Sequence, residues 1–195
     1  MTTEFPRPDK FSHSARAHTV AFIWGFAEAT LFFIVPDVLL SAIGCRSIRA
    51  GLKASMLVIA GALIGGTVMY KAGGHFPEQS KAFLTHIPAI HSKQIDRTQS
   101  QLAAYGILAL LIGPTEGIPY KIYATEWGIQ HGNLIVFILI SIPARGIRFL
   151  LSVFLANGIC RWIQPWTKRR VKTEMTILAI VWIVFYAVYF CVMGW

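Results

Sequence analysis

The last 21 residues, "MTILAIVWIVFYAVYFCVMGW" from Met175 to Trp195, hold no Asp, Glu, Lys, Arg or His. About 20 apolar residues in a helix cross the roughly 30 Å hydrocarbon core of a bilayer. Two further runs carry no charge: "ASMLVIAGALIGGTVMY" (residues 54–70) and "NLIVFILISIPA" (residues 133–144). Charged residues make up 14% of the chain, against roughly 25% in soluble domains. Hydrophobic residues reach 55% and mean hydropathy is +0.56. The expectation is an all-α integral membrane protein of one domain.

The net charge of +9 does not point to nucleic acid, because the basic residues sit beside apolar segments, where anionic headgroups attract them. "RWIQPWTKRRVK" (residues 161–172) has five, with tryptophans interleaved, the pattern of an interfacial anchor. The first 19 residues are polar, with Arg7, Lys10 and Arg16. They lack the apolar core and cleavage site of a signal peptide, so the first apolar segment is expected to stay. Three cysteines, Cys45, Cys160 and Cys191, show no metal spacing and read as small apolar residues, with Cys45 and Cys160 near enough to membrane boundaries for palmitoylation.

Four regions follow: a polar arm (1–18), a membrane domain (19–160), a basic interfacial linker (161–174) and a C-terminal transmembrane helix (175–195). Inside the membrane domain, residues 45–53 read as a loop with Arg46, Arg49 and Lys53, and 54–70 as a helix. Gly61 and Gly65 form a G-x-x-x-G pair that lets helices pack closely, within one subunit in preference to a homo-oligomer seam. Residues 71–104 are the most soluble part, with Phe83, Leu84, Ile87 and Ile90 marking a surface-lying amphipathic helix. His86 and His91 lack helical ligand spacing, and no metal or cofactor is expected.

Two apolar segments are interrupted. Residues 20–44 contain Glu28, Pro36 and Asp37. Residues 105–131 contain Pro114, Glu116, Pro119, Lys121 and Glu126. Proline removes a backbone donor and frees the carbonyl four residues earlier, and in hydrocarbon such groups must be satisfied by protein or by water in a cavity. Paired breaks in two halves of a chain point to a transporter's binding site. Each segment fits either a tilted span or a re-entrant hairpin. Hairpins leave eleven Lys and Arg on the side of the arm against four beyond; spans leave twelve against three. Both put the N-terminus in the cytoplasm.

Intramembrane charges cost about 2.5–3.5 kcal/mol each on insertion scales, so they face a cavity or one another. Arg145 and Arg148, three apart, share a helix face, and each guanidinium matches carboxylate or phosphate bidentately. Buried acids from the other segments or a lipid phosphate would be partners; one reading pairs both arginines with Glu116 and Glu126. Glu28, set between Phe26–Ala27 and Ala29–Thr30, suits proton exchange or serves as a neutral acid holding a helix break.

"GIPYKIYATEWG" (117–128) and "ARGIRFLLSVFLANGI" (144–159), with "FAEATLFFIVPDVLL" (26–40), resemble the DedA/VTT (SNARE-associated) membrane family, nearest its short YqaA-like branch. The resemblance covers about residues 20–160. It implies two re-entrant hairpins in an inverted pseudo-repeat with about three transmembrane helices, in a bacterial inner membrane. It also implies movement of phospholipid or polyisoprenyl phosphate between leaflets, with protons as a coupling ion. Glu28 and Asp37 match that family's acidic pair, and Arg145 and Arg148 its basic pair. Glu116 stands where many members have arginine; Lys121 matches the short branch.

The expected function is therefore a lipid transporter, flippase or scramblase acting on anionic headgroups. Tyr120, Lys121, Arg145 and Arg148 would bind substrate. Glu28, Asp37, Glu116 and Glu126 would handle protons, with the helix broken at Pro36, Pro114 and Pro119. A solute or ion carrier and a non-transporting scaffold are the alternatives. No H-E-x-x-H, G-x-S-x-G or Walker A pattern suggests an enzyme.

Overall fold

Charge-free sequence becomes long helix. The computed structural model describes residues 15–167 and 171–193, and every regular element among them is helical. The elements are α1 (Ala15–Thr30), α2 (Asp37–Arg46), α3 (Ile48–His75), α4 (Pro77–Thr85), α5 (Ser92–Tyr105), α6 (Ala109–Ile112), α7 (Tyr120–Ile129), α8 (Leu134–Thr167) and α9 (Val171–Met193). Short 3-10 turns occupy Gly106–Leu108 and Gly113–Glu116. Among the described residues, α3, α8 and α9 are long and apolar enough to cross a membrane. The 28 residues of α3 run about 42 Å at 1.5 Å per residue. By the same rise the ten residues of α2 and of α7 reach about 15 Å, half a bilayer core.

Two expected boundaries move. The loop foreseen over 45–53 is a single residue, Ser47, whose hydroxyl accepts from the Ala50 amide at 3.3 Å and caps α3. A serine cap suffices to start a helix, so Arg46, Arg49 and Lys53 ride on helices. The basic linker is largely helical too, because α8 runs to Thr167 and α9 starts at Val171. Lys168, Arg169 and Arg170 lie outside the described residues, as do residues 1–14 of the arm.

A glycine stripe makes α3 the central post. A side chain at Gly61 would strike the Phe22 carbonyl, and one at Gly25 the Val58 carbonyl, so α1 lies directly on α3. Farther along, Gly73 faces the Thr125 backbone and Gly128 the Tyr70 backbone, which seats α7 on the same post. The Gly61/Gly65 pair thus packs inside the chain. One apolar core gathers Leu40, Ile43, Val58, Phe149 and Val153 around α2, α3 and α8. Another gathers Leu84, Ile87, Ile95, Leu110, Ile122 and Phe137. The amphipathic region is therefore two helices, α4 and α5, and the turn between them is buried at Ile87, Ala89 and Ile90. Ala89 holds a left-handed φ of 63° there.

The reading of Cys45 and Cys160 as packing or palmitoylation residues is corrected: they form a disulfide joining α2 to α8. The two lie 115 residues apart, a closure worth about 4–5 kcal/mol in chain-entropy terms.

Candidate functional site

Pro36 creates the site. It has no N–H, so the Phe32 carbonyl four residues earlier loses its helical donor. The chain between α1 and α2 is accordingly irregular, and its free backbone groups are met by side chains from elsewhere. Lys121 Nζ donates to Phe32 O at 2.8 Å. Trp24 Nε1 donates to Ile34 O at 3.0 Å, and the Val35 amide donates to the Tyr186 hydroxyl at 2.8 Å. Buried backbone groups require such partners. The second break answers the first. Gly117, at φ 72°, ends the 3-10 turn, and Pro119 stands in extended backbone before α7, which delivers Tyr120 and Lys121 to the first break. Pro114 lies within that turn.

Between the breaks lies a cavity of about 370 Å³. Break residues Phe33, Val35, Ile118 and Pro119 line it, and α8 contributes Arg145, Arg148 and Ser152. Ile87–Ile90, the turn after α4, closes another side. A wall of Trp182, Phe185, Tyr186 and Tyr189 comes from α9. These aromatics recur at helical spacing, the signal in the sequence that would have found them. Trp182 Nε1 also donates to Ser41 Oγ at 2.9 Å, yet only 6% of the α9 span is buried, so its outer face is exposed.

Two ion pairs fill the cavity's polar side. Arg145 grips Glu28 with both terminal nitrogens, the longer contact being Nη1 to Oε1 at 3.3 Å. These side chains are 4% and 7% exposed. The Arg145 guanidinium also lies 4.6 Å from the Tyr120 ring and 4.9 Å from the Phe149 ring, a desolvated cation between π faces. Arg148 Nη2 meets Asp37 Oδ2 at 2.7 Å, and Ser152 Oγ donates to Asp37 Oδ1. Asp37 opens α2, where the helix dipole favours a carboxylate.

The pairing of both arginines with Glu116 and Glu126 is thereby corrected: Glu28 and Asp37 take them. Glu116 and Glu126 turn away from the cavity towards α5. Glu116 Oε2 receives Arg97 Nε at 2.9 Å and Gln101 Nε2 at 2.5 Å. Tyr123 donates its hydroxyl to Gln101 Oε1. Gln99 Nε2 donates to Glu126 Oε2 at 2.9 Å. The amphipathic α5 brings glutamines to the two acids that the sequence set beside Lys121, and no spacing rule foretold that. Tyr120 lines the cavity and donates to Ser141 Oγ at 3.0 Å. Lys121, 1% exposed, forms no ion pair among the described residues. The cavity thus holds three cations and two carboxylates. No group of ligating side chains suited to a metal is present among the described residues.

No family model and no solved structure matches the chain. A protein of Haemophilus influenzae, described as uncharacterized, is 24% identical over 143 residues, covering 71% of this chain and 73% of that protein. That relative supplies no function.

Proposed function

We propose that this protein is a membrane carrier that moves lipids with anionic headgroups, phospholipid or polyisoprenyl phosphate, between leaflets as a transporter, flippase or scramblase. One observation carries the reading: Lys121 is a buried cation with no ion pair among the described residues, in a cavity whose other charges pair off. An ammonium has three donors, and Phe32 O takes one. A headgroup phosphate would complete the rest and cancel the surplus charge.

The short helices α2, α6 and α7 support a reading of the two broken segments as re-entrant hairpins whose tips meet around Lys121. The aromatic wall of α9 suits a lipid whose chains stay in the bilayer while its headgroup enters. The resemblance to the DedA/VTT family agrees, and the reading carries with it a bacterial inner membrane with the N-terminus in the cytoplasm. No enzymatic step is needed; the protein binds and releases.

The test is reconstitution in liposomes with fluorescent phospholipid or polyisoprenyl phosphate, beside ion uptake in the same vesicles. The wild-type protein should translocate lipid, and Lys121→Gln should not while remaining folded. Ion uptake without lipid movement would favour the solute or ion carrier. Neither activity would leave a scaffold.

A further inference from the structure

Four acids in the broken segments are candidates for handling protons, and three are committed to arginines: Glu28 to Arg145, Asp37 to Arg148 and Glu116 to Arg97. An arginine is always charged, so each of these three acids has a fixed positive partner. Glu126 differs. It is 1% exposed and forms no ion pair among the described residues. One oxygen, Oε2, accepts from the neutral amide of Gln99. The other, Oε1, is buried with no partner among the described residues, and so is the hydroxyl of the adjacent Thr125.

A buried carboxylate with one neutral donor is far costlier than a neutral acid in the same place. A proton on Oε1 removes the charge and with it the larger part of that cost. The charged groups facing Glu126 are Lys81 from α4 and Asp96 from α5, of opposite sign. From α3 this end of α7 meets glycines, Gly73 and Gly74, and the Tyr70 backbone. Glu28 of α1 and Arg145 of α8 act on Lys121 at the opposite end.

Gln99, the partner of Glu126, also faces an open crevice. A crevice of about 320 Å³ between α4 and α5 is lined by Glu78, Lys81, Asp96 and Gln99. Gln99 alone is shared between this crevice and the hydrogen bond to Glu126.

We propose that Glu126 is the proton-binding acid of this carrier, protonated at rest and exchanging its proton with water in the α4–α5 crevice past Gln99. On release the Oε1–H bond breaks, the proton passes to a crevice water, and a carboxylate with one negative charge stays on α7. That ten-residue helix carries Lys121 five positions earlier, so a charge gained at one end acts on the cation at the other. The Arg-paired acids then serve as fixed electrostatics. The coupling role rests on the lipid-carrier reading; the proton site does not.

The experiment has two arms on the reconstituted full chain. Infrared titration should show a carboxylic-acid C=O band that shifts in Gln99→Leu and is lost in Glu126→Gln. A band that survives Glu126→Gln and is lost in Glu28→Gln overturns the proposal, as does a wild-type protein with no such band. If Glu126→Gln fails to fold, Gln99→Leu decides: an unshifted band overturns the assignment. In the second arm, lipid translocation by the wild type should respond to a pH gradient, and the response should be lost in Glu126→Gln. A retained response overturns the coupling role. Absence of wild-type translocation sinks the lipid reading and leaves the infrared result standing.

Discussion

Lys121 donates to the carbonyl of Phe32, the group that Pro36 deprives of a backbone donor. One residue of the second break thus repairs a defect made in the first. Lys121→Met should leave that carbonyl unsatisfied and cost about 1–3 kcal/mol, read by thermal unfolding in detergent. In a Pro36→Ala background residue 36 regains an N–H, so the same Lys121→Met change should cost less. Equal losses in both backgrounds would show that the bond is incidental.

The Arg145–Glu28 pair offers a second double-mutant cycle. Removing one partner of a buried pair costs about 3–5 kcal/mol, since the other charge is stranded. Arg145→Met and Glu28→Gln should each lower the melting temperature, and the double variant should recover part of the loss. Translocation should stay absent in the double variant if the pair belongs to the carrier site. Recovery of both would assign the charges to scaffolding.

Helix packing predicts a contrast between two glycines. A methyl group at Gly61 meets the Phe22 carbonyl, whereas at Gly158 nothing lies within 4 Å. Gly61→Ala should destabilise by about 1–3 kcal/mol through overpacking. Gly158→Ala, inside α8, should be neutral or stabilise by up to about 1 kcal/mol. Both are read by thermal unfolding.

Ala89 sits in left-handed backbone at the turn that closes one side of the cavity. That region costs an L residue about 1–2 kcal/mol, more than the added chain entropy of glycine. Ala89→Gly should therefore raise stability by about 0.5–1 kcal/mol. A fall in melting temperature would mean that the Ala89 methyl contributes more to packing than the backbone loses.

The sequence marked features governed by local chemistry. Charge-free runs located α3, α8 and α9, and prolines 36 and 119 located the breaks. The residues expected to bind substrate, Tyr120, Lys121, Arg145 and Arg148, all line one cavity. What it hid depends on contacts between distant segments. Which acids meet Arg145 and Arg148 is decided by where α1 and α2 lie against α8, so the sequence alone leaves the choice between Glu28 and Asp37 and the pair Glu116 and Glu126 open. The α5 glutamines and the α9 aromatic wall enter the picture only through packing. The disulfide bridges residues that no spacing rule connects.

That disulfide bears on which way the molecule faces. Cys45 and Cys160 are each followed directly by an arginine, Arg46 and Arg161. Flanking arginines favour the cytoplasmic side for this end by the positive-inside rule, a reducing compartment where structural disulfides are rare. Sulfur chemistry assigns the same end to an oxidising space. The two rules name opposite faces of the bilayer for one spot on the protein. The oxidation state of this pair in a living cell is therefore a built-in reporter of orientation: bonded, it marks the outer face; reduced, the inner.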